Sequence, residues 1–104
     1  MIHSIPETFG LYRISLYGLT HWRDKVEVFN LVPKQGGHSE NDNLDDMEVV
    51  TTLNEGIVFI LDIVEYNWNE CIYHGIHIIG KGFAGYINTD NYARRDLTVN
   101  FEKI

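Results

Sequence analysis

Leu53-Asn54-Glu55-Gly56-Ile57-Val58-Phe59-Ile60-Leu61-Asp62-Ile63-Val64 is the stretch whose reading decides the fold. Its last eight residues are apolar except Asp62, and β-branched and aromatic side chains dominate, the composition of a strand and not of a helix. A run apolar at nearly every position predicts a strand buried on both sides or bent across a barrel. Asn54-Glu55-Gly56 supplies the turn chemistry that reverses the chain out of a preceding strand, Glu48 to Leu53. Downstream, Asn67-Trp68-Asn69 is a turn signal, and Glu70-Cys71-Ile72-Tyr73-His74 returns as the next strand, with a bend or bulge expected at Gly75. Ile76 to Ile79 continues towards Gly80-Lys81-Gly82, a flexible connection. Phe83-Ala84-Gly85-Tyr86-Ile87 is a further strand, and Thr89 is placed to cap a short helical turn through Tyr92.

Upstream, Leu11 to Tyr17 alternates with period two, putting Tyr12, Ile14 and Leu16 on one face before Gly18. Lys25 to Val32 predicts a second strand with Val26, Val28 and Asn30 on one side, ended by Pro33, which cannot donate to a ladder. Leu97-Thr98-Val99-Asn100-Phe101 alternates cleanly and closes the sheet, leaving an edge that a second copy of the chain could pair with. No stretch keeps a helical period. The reading is an all-β chain: a small barrel with an N-terminal strand pair and a long acidic loop, residues 1–104 forming one domain. Leu11 to Val32 either belongs to the same barrel or forms an added hairpin.

A chain of 104 residues is a common domain size and buries about 65% of its unfolded surface. Its one cysteine, Cys71, cannot form an internal disulfide, so no oxidising compartment is needed, and it reads as a small buried hydrophobe. The N-terminal residues lack a basic region followed by an apolar stretch, and no run approaches membrane-spanning length. The expectation is a soluble, cytoplasmic protein. Net charge is −7, and its distribution matters more: nine Asp and Glu, but no Lys or Arg, lie between Gln35 and Gly80. The densest group is Glu40, Asp42, Asp45, Asp46 and Glu48, in a loop opened by Gly36-Gly37. Such a loop repels phosphate backbones, so direct nucleic-acid binding is not expected.

From Val49 to Leu97, about half the chain, the order of parts resembles bacterial Src-homology-3-type (SH3b-type) domains. The Leu-x-x-Gly turn is matched by Leu53 and Gly56, the strand it feeds by Ile57 to Leu61, and the aromatic after the next loop by Trp68. The Gly-aromatic-aliphatic signature followed by a short turn and Tyr is matched by Gly85, Tyr86, Ile87 and Tyr92. The resemblance implies a small barrel that binds and does not catalyse. Asn88 stands where proline-ligand-binding members carry Pro, which argues against polyproline recognition.

On this reading Tyr66, Trp68, Tyr86 and Tyr92 cluster on one rim beside Glu65, Glu70 and Asp90. Aromatic anchors next to carboxylates suit a protein or peptide surface bearing Arg or Lys. The alternative is a small acidic inhibitor, of the type viruses or mobile elements encode, that mimics nucleic acid and blocks a basic groove. Enzymatic chemistry is not expected. His74 and His77, three apart on an extended strand, fall on opposite faces and make no metal pair. Cys71 with His74, and Ser4, Ser15 or Ser39, lie in no nucleophile motif. The acidic loop lacks calcium-loop spacing. No cofactor is implied, and either a monomer or a homodimer fits.

Overall fold

A computed structural model of the protein describes Pro6 and residues 9–18, 25–33, 46–68, 70–90 and 97–104. Seven strands run through them: β1 (Gly10–Gly18), β2 (Val26–Phe29), β3 (Val49–Leu53), β4 (Glu55–Trp68), β5 (Cys71–Gly80), β6 (Phe83–Asn88) and β7 (Leu97–Lys103). They form one antiparallel sheet in the order β3-β2-β6-β5-β4-β1-β7. The fold is therefore all-β, a curled sheet whose concave side holds the core. Its radius of gyration of 13.1 Å is what a domain of this length reaches when its chain is tightly folded.

Alternation explains the core. Tyr12 and Ile14 of β1, Val26 and Val28 of β2, Val58 and Ile60 of β4, Ile76 and Ile78 of β5, Ile87 of β6, and Val99 and Phe101 of β7 are all buried in one cluster. Where a strand supplies two, they are two residues apart, so one face of the strand turns inward, and Leu53 of β3 packs against the cluster partly buried. Burying each isoleucine contributes about 1.5–3 kcal/mol. Tyr12 meets Phe101 edge to face at 6.4 Å. The period-two readings of β1 and β7 thus hold, and that of β2 holds for Val26 and Val28 only: the register shifts after Val28 and the strand ends at Phe29, so Asn30 lies outside it and Pro33 does not end it. The N-terminal strands lie in the same sheet as the rest: β1 sits between β4 and β7, and β2 pairs with β6.

Several local expectations change. The Asn54-Glu55-Gly56 turn does not make a hairpin, because β3 pairs with β2 at one edge of the sheet and β4 lies in its interior. The apolar run in β4 carries a register irregularity and is buried on one face only: Ile57, Phe59 and Leu61 are exposed. Gly75 keeps regular register with Val64 and Asn88, and the irregularity falls instead between Ile60 and Asp62. Glycine is needed at 75 for clearance, since a Cβ there would sit 2.2 Å from Val32 Cγ1. Thr89 Oγ1 accepts the His74 N–H at 2.9 Å, and the turn through Tyr92 that the sequence predicts it to cap runs outside the described residues. Cys71 is exposed, being the first residue of β5 beside the turn that follows Trp68.

Candidate functional site

The bulge in β4 decides where the aromatic residues go. Val58 and Ile60 face the core, and after the extra residue at Leu61 it is Ile63 that packs against it. The alternation has slipped by one, as a bulge requires. Tyr66 and Trp68 therefore fall on the reverse face of the sheet, paired with Tyr73 and Cys71. Gly75, His77, Tyr86 and Asn88 share that face through the register of β5 and β6.

Tyr66 is nevertheless only 2% exposed, because the chain leaving β6 covers it. Its hydroxyl donates to Asp90 Oδ1 and accepts the Asp90 backbone N–H at 3.3 Å. Its ring lies tilted on Tyr73 with centroids 5.9 Å apart. Burial first, and the Asp90 carboxyl second, push the Tyr66 hydroxyl far above the ordinary tyrosine range, so it stays a proton donor. Thr89 stitches the same segment to β5, its N–H donating to His74 O at 2.9 Å. Asn88 Nδ2 donates to Leu31 O at 3.0 Å, which lays the segment after β2 over Gly75. Asn88 Oδ1 is buried and unpartnered among the described residues.

Around this locked cluster stand side chains a ligand can reach. Trp68 and Tyr73 are half-buried, and Glu70, in the hairpin turn, is exposed. Glu70 takes φ 64°, a left-handed conformation that costs a non-glycine residue roughly 1–2 kcal/mol. Glu65 is exposed on the opposite face from Tyr66, with its Oε2 3.8 Å from His74 Nε2. Tyr86, half-buried, stacks on His77 at 4.4 Å and 13° and pairs with Phe29. The structure thus brings Tyr66, Trp68, Glu70 and Asp90 to one end of the sheet. It sets Tyr86 farther along the reverse face and Glu65 behind it. Tyr66 and Asp90, both buried, hold the platform and do not present to solvent. Tyr92 lies outside the described residues.

Of the acidic group, Glu40, Asp42 and Asp45 also lie outside the described residues. Asp46 and Glu48 are exposed, and Asn30 clasps the chain between them. Asn30 Nδ2 donates to Asp46 O at 2.9 Å, Asn30 Oδ1 accepts the Glu48 N–H at 2.7 Å, and Asn30 N–H donates to Glu48 O at 3.0 Å.

Three contributors escaped the sequence reading: Tyr73, the stack of His77 on Tyr86, and the Asn30 clasp. Tyr73 was within reach by counting, since a two-residue turn between Trp68 and Cys71 places Tyr66 opposite it. The stack was open to the same counting, since the two-residue turn between Gly80 and Phe83 places His77 opposite Tyr86; the Asn30 clasp spans the long connection between β2 and β3 and depends on tertiary structure. His74 and His77 do fall on opposite faces of β5, and no group of three or more His, Cys, Asp or Glu suited to a metal occurs among the described residues. No described helix is long and apolar enough to cross a membrane. A hollow of about 250 Å³ lies at the far end of β4 from Trp68, lined by Arg13, Ser15, Glu55 and Ile57 among others. Comparison with protein-family models, with curated proteins and with solved structures returned no match.

Proposed function

We propose that this chain is a non-enzymatic binding module, a small barrel of the Src-homology-3 type, that takes a basic peptide or protein surface at the Trp68 end of its sheet. The run β7-β1-β4-β5-β6 is compatible with such a barrel. The observation that carries the reading is the Tyr66–Asp90 lock. It fixes the backbone under half-exposed Trp68 and Tyr73 and leaves the Glu70 carboxylate beside them free to meet solvent. A rigid aromatic pair next to a carboxylate offers stacking, cation–π attraction and charge pairing to Arg or Lys at low ordering cost. Titration of ¹⁵N-labelled protein with an arginine-rich peptide should shift the amides of residues 65–74. Trp68→Ala, folded by circular dichroism, should weaken binding about tenfold, the loss of one anchoring side chain. Unchanged affinity in that variant sinks the proposal.

A second reading, an acidic inhibitor that occupies a nucleic-acid-binding groove, draws support from the Asn30 clasp. Those three hydrogen bonds hold Asp46 and Glu48 at a fixed place on β2 and β3, as a presented charge pattern requires. Converting Glu40, Asp42, Asp45 and Asp46 to their amides should then abolish capture of a basic nucleic-acid-binding protein and flatten its salt dependence. Affinity that survives the change dismisses mimicry.

A further inference from the structure

The reverse face of the sheet at the opposite end from Trp68 has no use in that reading, and it is apolar. By register Leu11 stands opposite Phe59, and Phe59 opposite Ile79. Directly opposed residues of antiparallel strands share a face, so these three form a row across β1, β4 and β5. Ala84 extends the row on β6, and Ile104 extends it beyond β7 through the bond from its N–H to Leu11 O at 3.1 Å. Ile57 and Leu61 flank Phe59 on β4. Leu11, Ile57, Phe59, Leu61, Ile79 and Ile104 are each 39–60% exposed.

We propose that this face is a self-association surface, covered in solution by the same face of a second copy of the chain. Area argues for it. Six large side chains of about 200 Å² each, half exposed, offer roughly 600 Å² of apolar surface, the upper end of what monomers carry. Two such faces closed completely on each other bury at most about 1,200 Å², which reaches the lower bound for a specific stable interface. Charge argues in the same direction. The chain carries −7, which repels a second copy, yet the row beside Leu11 and Phe59 is balanced: Arg13 stands opposite both Ile57 and Glu102 and lies 3.5 Å from the Glu102 carboxylate. Both are exposed. A two-fold interface needs a patch that carries its own complement, and an acid and a base side by side at the margin of an apolar row are that. Arg13 of one copy then meets Glu102 of the other while the apolar rows close on each other.

Sedimentation velocity over a concentration series, with vesicle flotation in parallel, tests this. The wild-type chain should pass from 12.1 kDa to twice that mass as concentration rises. Phe59→Asp should raise the dimer dissociation constant about thirtyfold or more, as loss of a central anchor does. Ile72→Asp, at a more exposed position (64% against 43% for Phe59) on the Trp68 hairpin, should leave the dimer intact. Circular dichroism checks that both variants fold, and Leu11→Asp repeats the test should Phe59→Asp not. A wild-type chain that stays monomeric throughout overturns the proposal, and so does a monomer that floats with vesicles. A dimer that survives both Phe59→Asp and Leu11→Asp also overturns it, pointing to edge pairing through β7.

Discussion

Tyr66 shows how one oxygen can organise a surface. It donates to the Asp90 carboxyl and accepts the Asp90 amide, so the segment after β6 is tied to β4 at a single atom. Removing it leaves two polar groups of Asp90 without that partner in a buried site. Tyr66→Phe should therefore cost about 1–3 kcal/mol in urea unfolding, the loss of a buried hydrogen bond to a carboxyl. The same residue sets an alkaline limit. Burial and Asp90 raise its folded-state value above the ordinary one, so as pH rises through about 10 the unfolded chain sheds this proton while the folded chain keeps it. The unfolded state then binds fewer protons, and stability falls by up to about 1.4 kcal/mol per pH unit from this one group. Below that range its contribution is fully present. Unfolding curves at pH 8 to 11 should show a shallower decline in Tyr66→Phe, and an identical slope would refute the assignment.

At the scale of elements, two glycines make a contrast that mutation can read. A Cβ at Gly75 meets the side chain of Val32 at 2.2 Å, whereas one at Gly85 meets the backbone oxygen of Phe29 at 2.6 Å. A side chain can be trimmed, and a backbone carbonyl cannot. Gly75→Ala should destabilise by about 1–3 kcal/mol through overpacking, and adding Val32→Ala should recover part of that loss in thermal melts. Gly85→Ala should cost more, and no companion truncation of a side chain should repair it. This also explains why Gly75 was misread from sequence. A glycine inside a strand marks either a bulge or a close approach, and the approaching residue, Val32, follows a different strand. The bulge went to Leu61, where the sequence offers only one more apolar residue in an apolar run. Unbroken alternation from Ile60 would turn Tyr66 to the core; the bulge turns it to the reverse face instead, where the chain leaving β6 covers it through Asp90, a contact 24 residues away that no local pattern reports.

For the whole molecule, local patterns in the sequence report local structure. Strands with clean alternation, such as Val26-Glu27-Val28 and Val99-Asn100-Phe101, declare their buried face one residue at a time. What failed were questions about partners. Apolar Ile57, Phe59 and Leu61 carry no mark that distinguishes a core residue from an exposed one, so the run reads as buried on both sides or bent across a barrel. The β3–β4 connection looked like a hairpin because turn chemistry reports a change of direction and not which strand lies alongside. The end of the sheet bearing Trp68 and Glu70 was legible from composition, while its support by Asp90 and Tyr73 depends on register.

One feature of this topology bears on how the molecule carries load. β1 and β7 lie antiparallel with Tyr12 opposite Lys103 and Gly18 opposite Leu97, and Lys103 Nζ donates to Phe9 O at 2.9 Å. The two ends of the described fold are thus fastened side by side. Tension applied across residues 9 and 104 falls first on that fastening and then on the seven β1–β7 pairs in turn, from Tyr12–Lys103 inward. The ladder opens like a zip and is never sheared as a block, so the molecule resists heat through its core yet yields to a pull at its ends.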